Sequence, residues 1–122
     1  MKITFPNLGN TVFAVKAVFD GLGIDYVLPP PTTKNSLEKG CLYSPEEICL
    51  PFKIMIGGYI ESIKKGADTI LLLGSSGPCR FGEYCELQMR VLRKLGYNLK
   101  FIVIDSPKEI GKNEFILSLI HI

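Results

Sequence analysis

The chain is 122 residues long, 47% apolar and 21% charged, with a formal net charge of +2. That length suits one domain with a buried core, since domains commonly run to about 100–150 residues. The small, scattered charge offers no footprint for nucleic acid, and no uncharged apolar run approaches the ~20 residues of a membrane helix.

The opening, Met1-Lys2-Ile3-Thr4-Phe5-Pro6, lacks the apolar core of a signal peptide, which points to a cytoplasmic protein. Lys2 to Phe5 predicts a strand, stopped by Pro6 and the turn Asn7-Leu8-Gly9-Asn10. A helix follows with Val12, Phe13, Val15, Ala17, Val18, Phe19 and Leu22 at its apolar positions, Asn10 or Thr11 at its start and Gly21 or Gly23 at its end. Tyr26 to Leu28 predicts a second strand ahead of Pro29-Pro30-Pro31, completing a βαβ unit.

A polar connection is expected from Thr32 to Tyr43. Ser44-Pro45-Glu46-Glu47 carries the residues of a capping box, so a helix start is expected there. Pro51 removes a donor N–H, which predicts an interruption and a restart running through Ile54, Ile56, Ile60 and Ile63 to Lys65, closed by Gly66. Thr69 to Leu73 is continuously apolar, as suits a strand covered on both faces. A glycine-rich loop from Gly74 to Gly82 follows, then a helix from Glu83 to Leu95 stopped by Gly96, then a fourth strand from Phe101 to Ile104 ended by Pro107. The alternation predicts an α/β fold: a three-layer open parallel sheet of about four strands, Rossmann- or flavodoxin-like, built from βαβ units. The domain is expected over residues 1–107 with a tail at 108–122. Leu117 to Ile122 reads as translated sequencing adapter on a truncated natural chain, which leaves no native histidine because His121 is the only one.

Four cysteines, Cys41, Cys49, Cys79 and Cys85, in a cytoplasmic chain favour metal or redox chemistry over structural disulfides; the plain alternative is small core residues. Open α/β sheets bind ligands beyond the carboxyl ends of their strands. The predicted topology sets all four cysteines on that edge, with Cys49 and Cys85 near helix starts and Cys41 and Cys79 in loops. A strand order of 2-1-3-4 sets the Asn7–Asn10 turn beside Cys79. Helix N-termini favour thiolate, Arg80 adds a cation, and Gly74, Gly77 and Gly82 permit close backbone approach to a bulky group. The spacings C-x7-C and C-x5-C differ from paired zinc knuckles, and the glycine loop lacks the G-K-[ST] ending of a phosphate-binding loop.

The stretches FPNLGN (5–10), VLPPP (27–31), YSPEEICLPFK (43–53), KGADTILLLG (65–74) and GPCRFGEY (77–84) resemble the acyl-CoA dehydratase activase-related proteins, also called CoA-protein activases. These are related to the cluster subunits of 2-hydroxyglutaryl-CoA dehydratase and benzoyl-CoA reductase. The resemblance runs to about Pro107. It implies a 4Fe–4S cluster held by cysteine thiolates in an α/β domain, with Cys49 and Cys79 as ligands and Cys41 and Cys85 as second-rank candidates. It also implies a partner, either an ATP-dependent activator protein or further domains of a larger chain, and a place in a 2-hydroxyacyl-CoA dehydratase-like lyase or reductase system. Arg80, Phe81, Pro51 and Lys53 carry over as motif neighbours in packing, helix initiation and charge compensation. Tyr43 and Tyr84 flank the cysteine segments; each is expected first as a ring packed at a helix start, and only second as an O–H donor near a cluster. The competing readings are a thiol–disulfide domain using a pair such as Cys79 and Cys85, and a structural or assembly domain of a larger complex.

Overall fold

A computed structural model of the chain describes residues 1–74 and 80–104. Cys79, Pro107, the expected tail at 108–122 and its His121 lie outside those residues.

The sheet has three parallel strands in the order β1 (Ile3–Thr4), β2 (Thr69–Leu73) and β3 (Lys100–Ile104). Tyr26 adds a parallel bridge to Ile3, on the side of β1 away from β2. The four expected strands therefore stand in the order 2-1-3-4, but the second has shrunk to one bridge. Its backbone gives Val27 N–H to Ile3 C=O at 2.8 Å, and then Pro29 and Pro30, which have no N–H, end the pairing.

Each face of the sheet takes its own helices. Helix α1 (Thr11–Leu22) places Val12, Val15 and Phe19 against Ile3, Phe5 and Leu71, with Ile102 and Ile104 beside them. Phe19 meets the Phe5 ring edge-on at 5.6 Å. Gly23 closes the helix at φ +65°, a conformation that glycine adopts without steric cost. On the opposite face, α3 (Leu50–Lys64) buries Phe52, Met55, Ile56, Tyr59 and Ile60, the i, i+3, i+4, i+7, i+8 spacing of a helix stripe. Helix α4 (Tyr84–Lys94) adds Tyr84 and Leu92 to the same cluster, over Ile70 and Leu72. Consecutive residues of β2 thus feed both cores, each apolar side chain contributing about 1.5–3 kcal/mol by leaving water. The result is the three-layer α/β sheet that the alternation predicts.

Two local expectations fail between residues 32 and 50. The polar connection contains a helix, α2 (Lys34–Tyr43), capped by a reciprocal Thr33–Ser36 pair. Consequently Cys41 lies on a helix, not in a loop. The capping box expected at Ser44 to Glu47 starts nothing: these residues form a turn between α2 and α3. Helix formation at Ser44 would run into Pro51, whose missing N–H suits only a first turn. The single start at Leu50 puts Pro51 there.

Helices α2 and α3 lie antiparallel in backbone contact. A Cβ at Gly40 would overlap the Lys53 carbonyl, and a Cβ at Gly57 would overlap the Ser36 carbonyl. Lys39 pairs with Glu61 at 2.9 Å across the same seam. Gly58, one residue along, faces open space. Gly57→Ala and Gly40→Ala should each destabilise the chain by about 1–3 kcal/mol or more, the usual range for overpacking. Gly58→Ala should instead add about 0.5–1 kcal/mol, because alanine is the better helix former. Urea unfolding of the three variants checks the contrast.

Candidate functional site

Helix α3 runs into β2 from the sheet's carboxyl edge, so its first residue sits on that edge. Cys49 is the N-cap there, with extended backbone (φ −67°, ψ 157°), and its sulfur accepts no capping bond. Its side chain is solvent-exposed. Helix α4 also begins on this edge, after a short 3-10 turn over Arg80–Glu83. Its first residue, Tyr84, is 3% exposed, and its ring stands edge-on to Phe52 at 5.1 Å. From that position the phenol oxygen is in contact with the Cys49 sulfur. The stretches YSPEEICLPFK and GPCRFGEY, 23 residues apart in the sequence, therefore meet at Cys49, Phe52 and Tyr84.

Other quoted stretches also meet. Asn7 of FPNLGN donates its side-chain amide to the Pro30 carbonyl of VLPPP at 3.0 Å, while its own oxygen accepts the Gly9 N–H. Inside YSPEEICLPFK, Lys53 donates to the Glu46 carbonyl at 3.1 Å and closes the turn that leads to Cys49. Glu46 therefore anchors a turn through its backbone and caps no helix. Pro51 stands in the first turn of α3, the helix-initiation role expected among the motif neighbours, whereas Lys53 closes a turn, a role not among those expected.

The other two described cysteines, Cys41 and Cys85, take no part in this contact. Cys85 is half-buried against the α3–α4 core, its sulfur 3.8 Å from the Gly82 carbonyl. Cys41 is exposed on α2, near the end that packs beside the start of α3. Among the described residues no three His, Cys, Asp or Glu side chains gather closely enough to hold a metal ion. Cys79, the other motif cysteine, lies outside them. Cys49 itself presents an exposed sulfur at the start of a helix, beside the Tyr84 hydroxyl. Tyr84 had one sequence signal, its place at the end of GPCRFGEY. Ring packing and hydroxyl contact turn out to occur together.

The sequence pattern of the CoA enzyme activase uncharacterised domain matches residues 7–72, more than half of the chain. No curated protein and no solved structure matches it. None of the helices among the described residues is long and apolar enough to cross a membrane.

The exposures order the three described thiols of the reduced, metal-free chain. Cys41 and Cys49 should label within minutes with a maleimide, and Cys85 severalfold more slowly because it needs local opening. Peptide mass spectrometry over a labelling time course gives the three rates; a fast Cys85 would show that α4 does not pack as described.

Proposed function

Because the chain belongs to the CoA enzyme activase uncharacterised domain family, we propose that it is a cytoplasmic iron–sulfur component of an activator-linked CoA-enzyme system. Cys49 and Cys79 are its proposed cluster ligands, and the group is of the 4Fe–4S type. Cys41 and Cys85 remain candidates for a further ligand. The partner in this reading is an ATP-dependent activator protein, or further domains of a larger chain.

The contact of Tyr84 with Cys49 supports the reading best. It sets the Tyr84 end of GPCRFGEY beside the Cys49 end of YSPEEICLPFK at one end of the sheet. A centre of this type supplies low-potential electrons when bound, and its potential depends on burial and on hydrogen bonds to its sulfurs. The chain's own residues supply the thiolates. The N-terminus of α3 contributes N–H groups without intrahelical partners and a partial positive charge beside Cys49.

Anaerobic reconstitution with iron and sulfide, followed by iron counting and visible and EPR spectra, tests the proposal. Iron and a broad band near about 400 nm, characteristic of cysteine-ligated clusters, should appear in the parent. Both should fall severalfold or more in Cys49→Ala and in Cys79→Ala. A colourless parent, or variants that keep their iron, would overturn it. A reversible change in the number of free thiols without iron would then favour the thiol–disulfide reading.

A further inference from the structure

Helix α1 is apolar on two sides. Val12, Val15 and Phe19 turn to the sheet, while Phe13, Ala14, Ala17, Val18, Gly21 and Leu22 form a stripe on the solvent side. Phe13 is 72%, Val18 55% and Leu22 67% exposed, so three large apolar side chains stand in water on one 12-residue helix. Single exposed apolar residues are ordinary, but a contiguous patch of them marks a contact surface. At about 100° per residue, the three small residues lie between Phe13 on one side and Val18 and Leu22 on the other. A Cβ at Gly21 would meet nothing within 4 Å, so another backbone has room to come close there.

The stripe reads nearly alike in both directions. An antiparallel second copy, centred between Ala17 and Val18, sets Phe13 level with its Leu22, Ala14 with its Gly21 and Ala17 with its Val18. Two large side chains then share a level only at the ends, and small residues stand between.

Charge selects the occupant. The charged residues of α1 are Lys16 and Asp20, a loose pair at 3.9 Å on one flank of the stripe, each about half exposed. The Tyr26 hydroxyl holds Asp20 by its other carboxylate oxygen at 2.7 Å. A two-fold axis sets this flank against itself, with each Lys16 within one residue of the level of the second copy's Asp20. The pair is thus its own complement, as an isologous contact requires. A flank without net charge offers an anionic lipid surface nothing to attract, and the chain's net charge of +2 opposes the meeting of two copies only weakly.

We propose that α1 is a homodimer contact: two copies of the chain pack their α1 helices antiparallel about a two-fold axis, through the stripe from Phe13 to Leu22. A 12-residue helix is only about 18 Å long. A pair of them falls short of a standard interface, so the dimer belongs to the weak, transient class.

Sedimentation equilibrium of the chain from about 1 μM to about 1 mM, the span over which a weak interface dissociates, tests this. The parent should pass from monomer to dimer. Val18→Glu removes no buried side chain, so its circular dichroism should match the parent while its association weakens about tenfold or more. Lys16→Glu and Asp20→Lys each set like charges opposite one another across the axis, and each should weaken association severalfold. An equimolar mixture of those two variants should recover it, because both contacts of the mixed pair again join opposite charges. A parent that stays monomeric throughout, or a dimer that Val18→Glu leaves intact, would overturn the proposal. So would a mixture that associates no better than its two components.

Discussion

The approach of α2 to α3 is the constraint on which the site's geometry depends. Two helices can bring their backbones together only where neither presents a Cβ, and here Gly40 and Gly57 face the carbonyls of Lys53 and Ser36. The contact fixes both register and direction, because Ser36 must lie opposite Gly57 while Gly40 lies opposite Lys53. With the register set, Ser44 to Ile48 have one short gap to cross. They cross it as a turn, tied by a bond from Ile48 N–H to the Pro45 carbonyl and by the Lys53 ammonium on Glu46. Cys49 emerges from that turn at the first position where α3 can begin. Its placement is a consequence of helix packing, with no help from a capping bond of its own.

The sheet adds the second condition. A strand buried on both faces needs apolar residues along its middle, and β2 supplies them by sending Leu71 to the α1 core and Ile70 and Leu72 to the α3–α4 core. Helix α3 is held by both neighbours, against α2 through glycine contacts and against the sheet through its Phe52–Ile60 stripe. Tyr84 locks onto the same stripe through Phe52. One rigid helix therefore carries both the sulfur and the ring that orients the hydroxyl beside it. Burial also leaves polar groups stranded in this layer: among the described residues the hydroxyl of Tyr59 has no partner, and burial pushes its ionisation far above the ordinary tyrosine range.

Strong periodic segments were legible in the sequence. Thr69 to Leu73 has the bounds of β2, α3 starts and stops beside the residues expected of it, and both sides of the sheet follow from the alternation of elements. What failed was local competition. Ser44-Pro45-Glu46-Glu47 has the right letters for a cap, but a cap matters only if a helix can continue, and Pro51 prevents that. Lys34 to Tyr43 has the opposite character. It is too polar to announce a buried helix, and it is held by features visible only in three dimensions: the Thr33–Ser36 cap, the Lys39–Glu61 pair across the seam and two glycines acting as contact points. Helix propensity is a weak prior that such tertiary contacts override. Of the candidate site, the convergence of Cys49 and the Tyr84 segment on one edge could be read from topology. The contact itself could not, since nothing in spacing tells which way a side chain turns.

A tyrosine at the first position of a helix usually signifies only an amphipathic ring with its hydroxyl in water. Tyr84 departs from that, because its ring is buried and its oxygen also meets a sulfur. Burying the ring holds the hydroxyl in place, so little ordering is left for its contact with Cys49 to impose. An exposed serine could donate the same bond only after giving up its rotational freedom. The aromatic pair with Phe52 thus does for the hydroxyl what Gly40 and Gly57 do for the cysteine: each fixes a polar atom by packing apolar or backbone groups around its base. A site arranged in this way takes its geometry from the core, and its chemistry from the two atoms the core leaves at the surface.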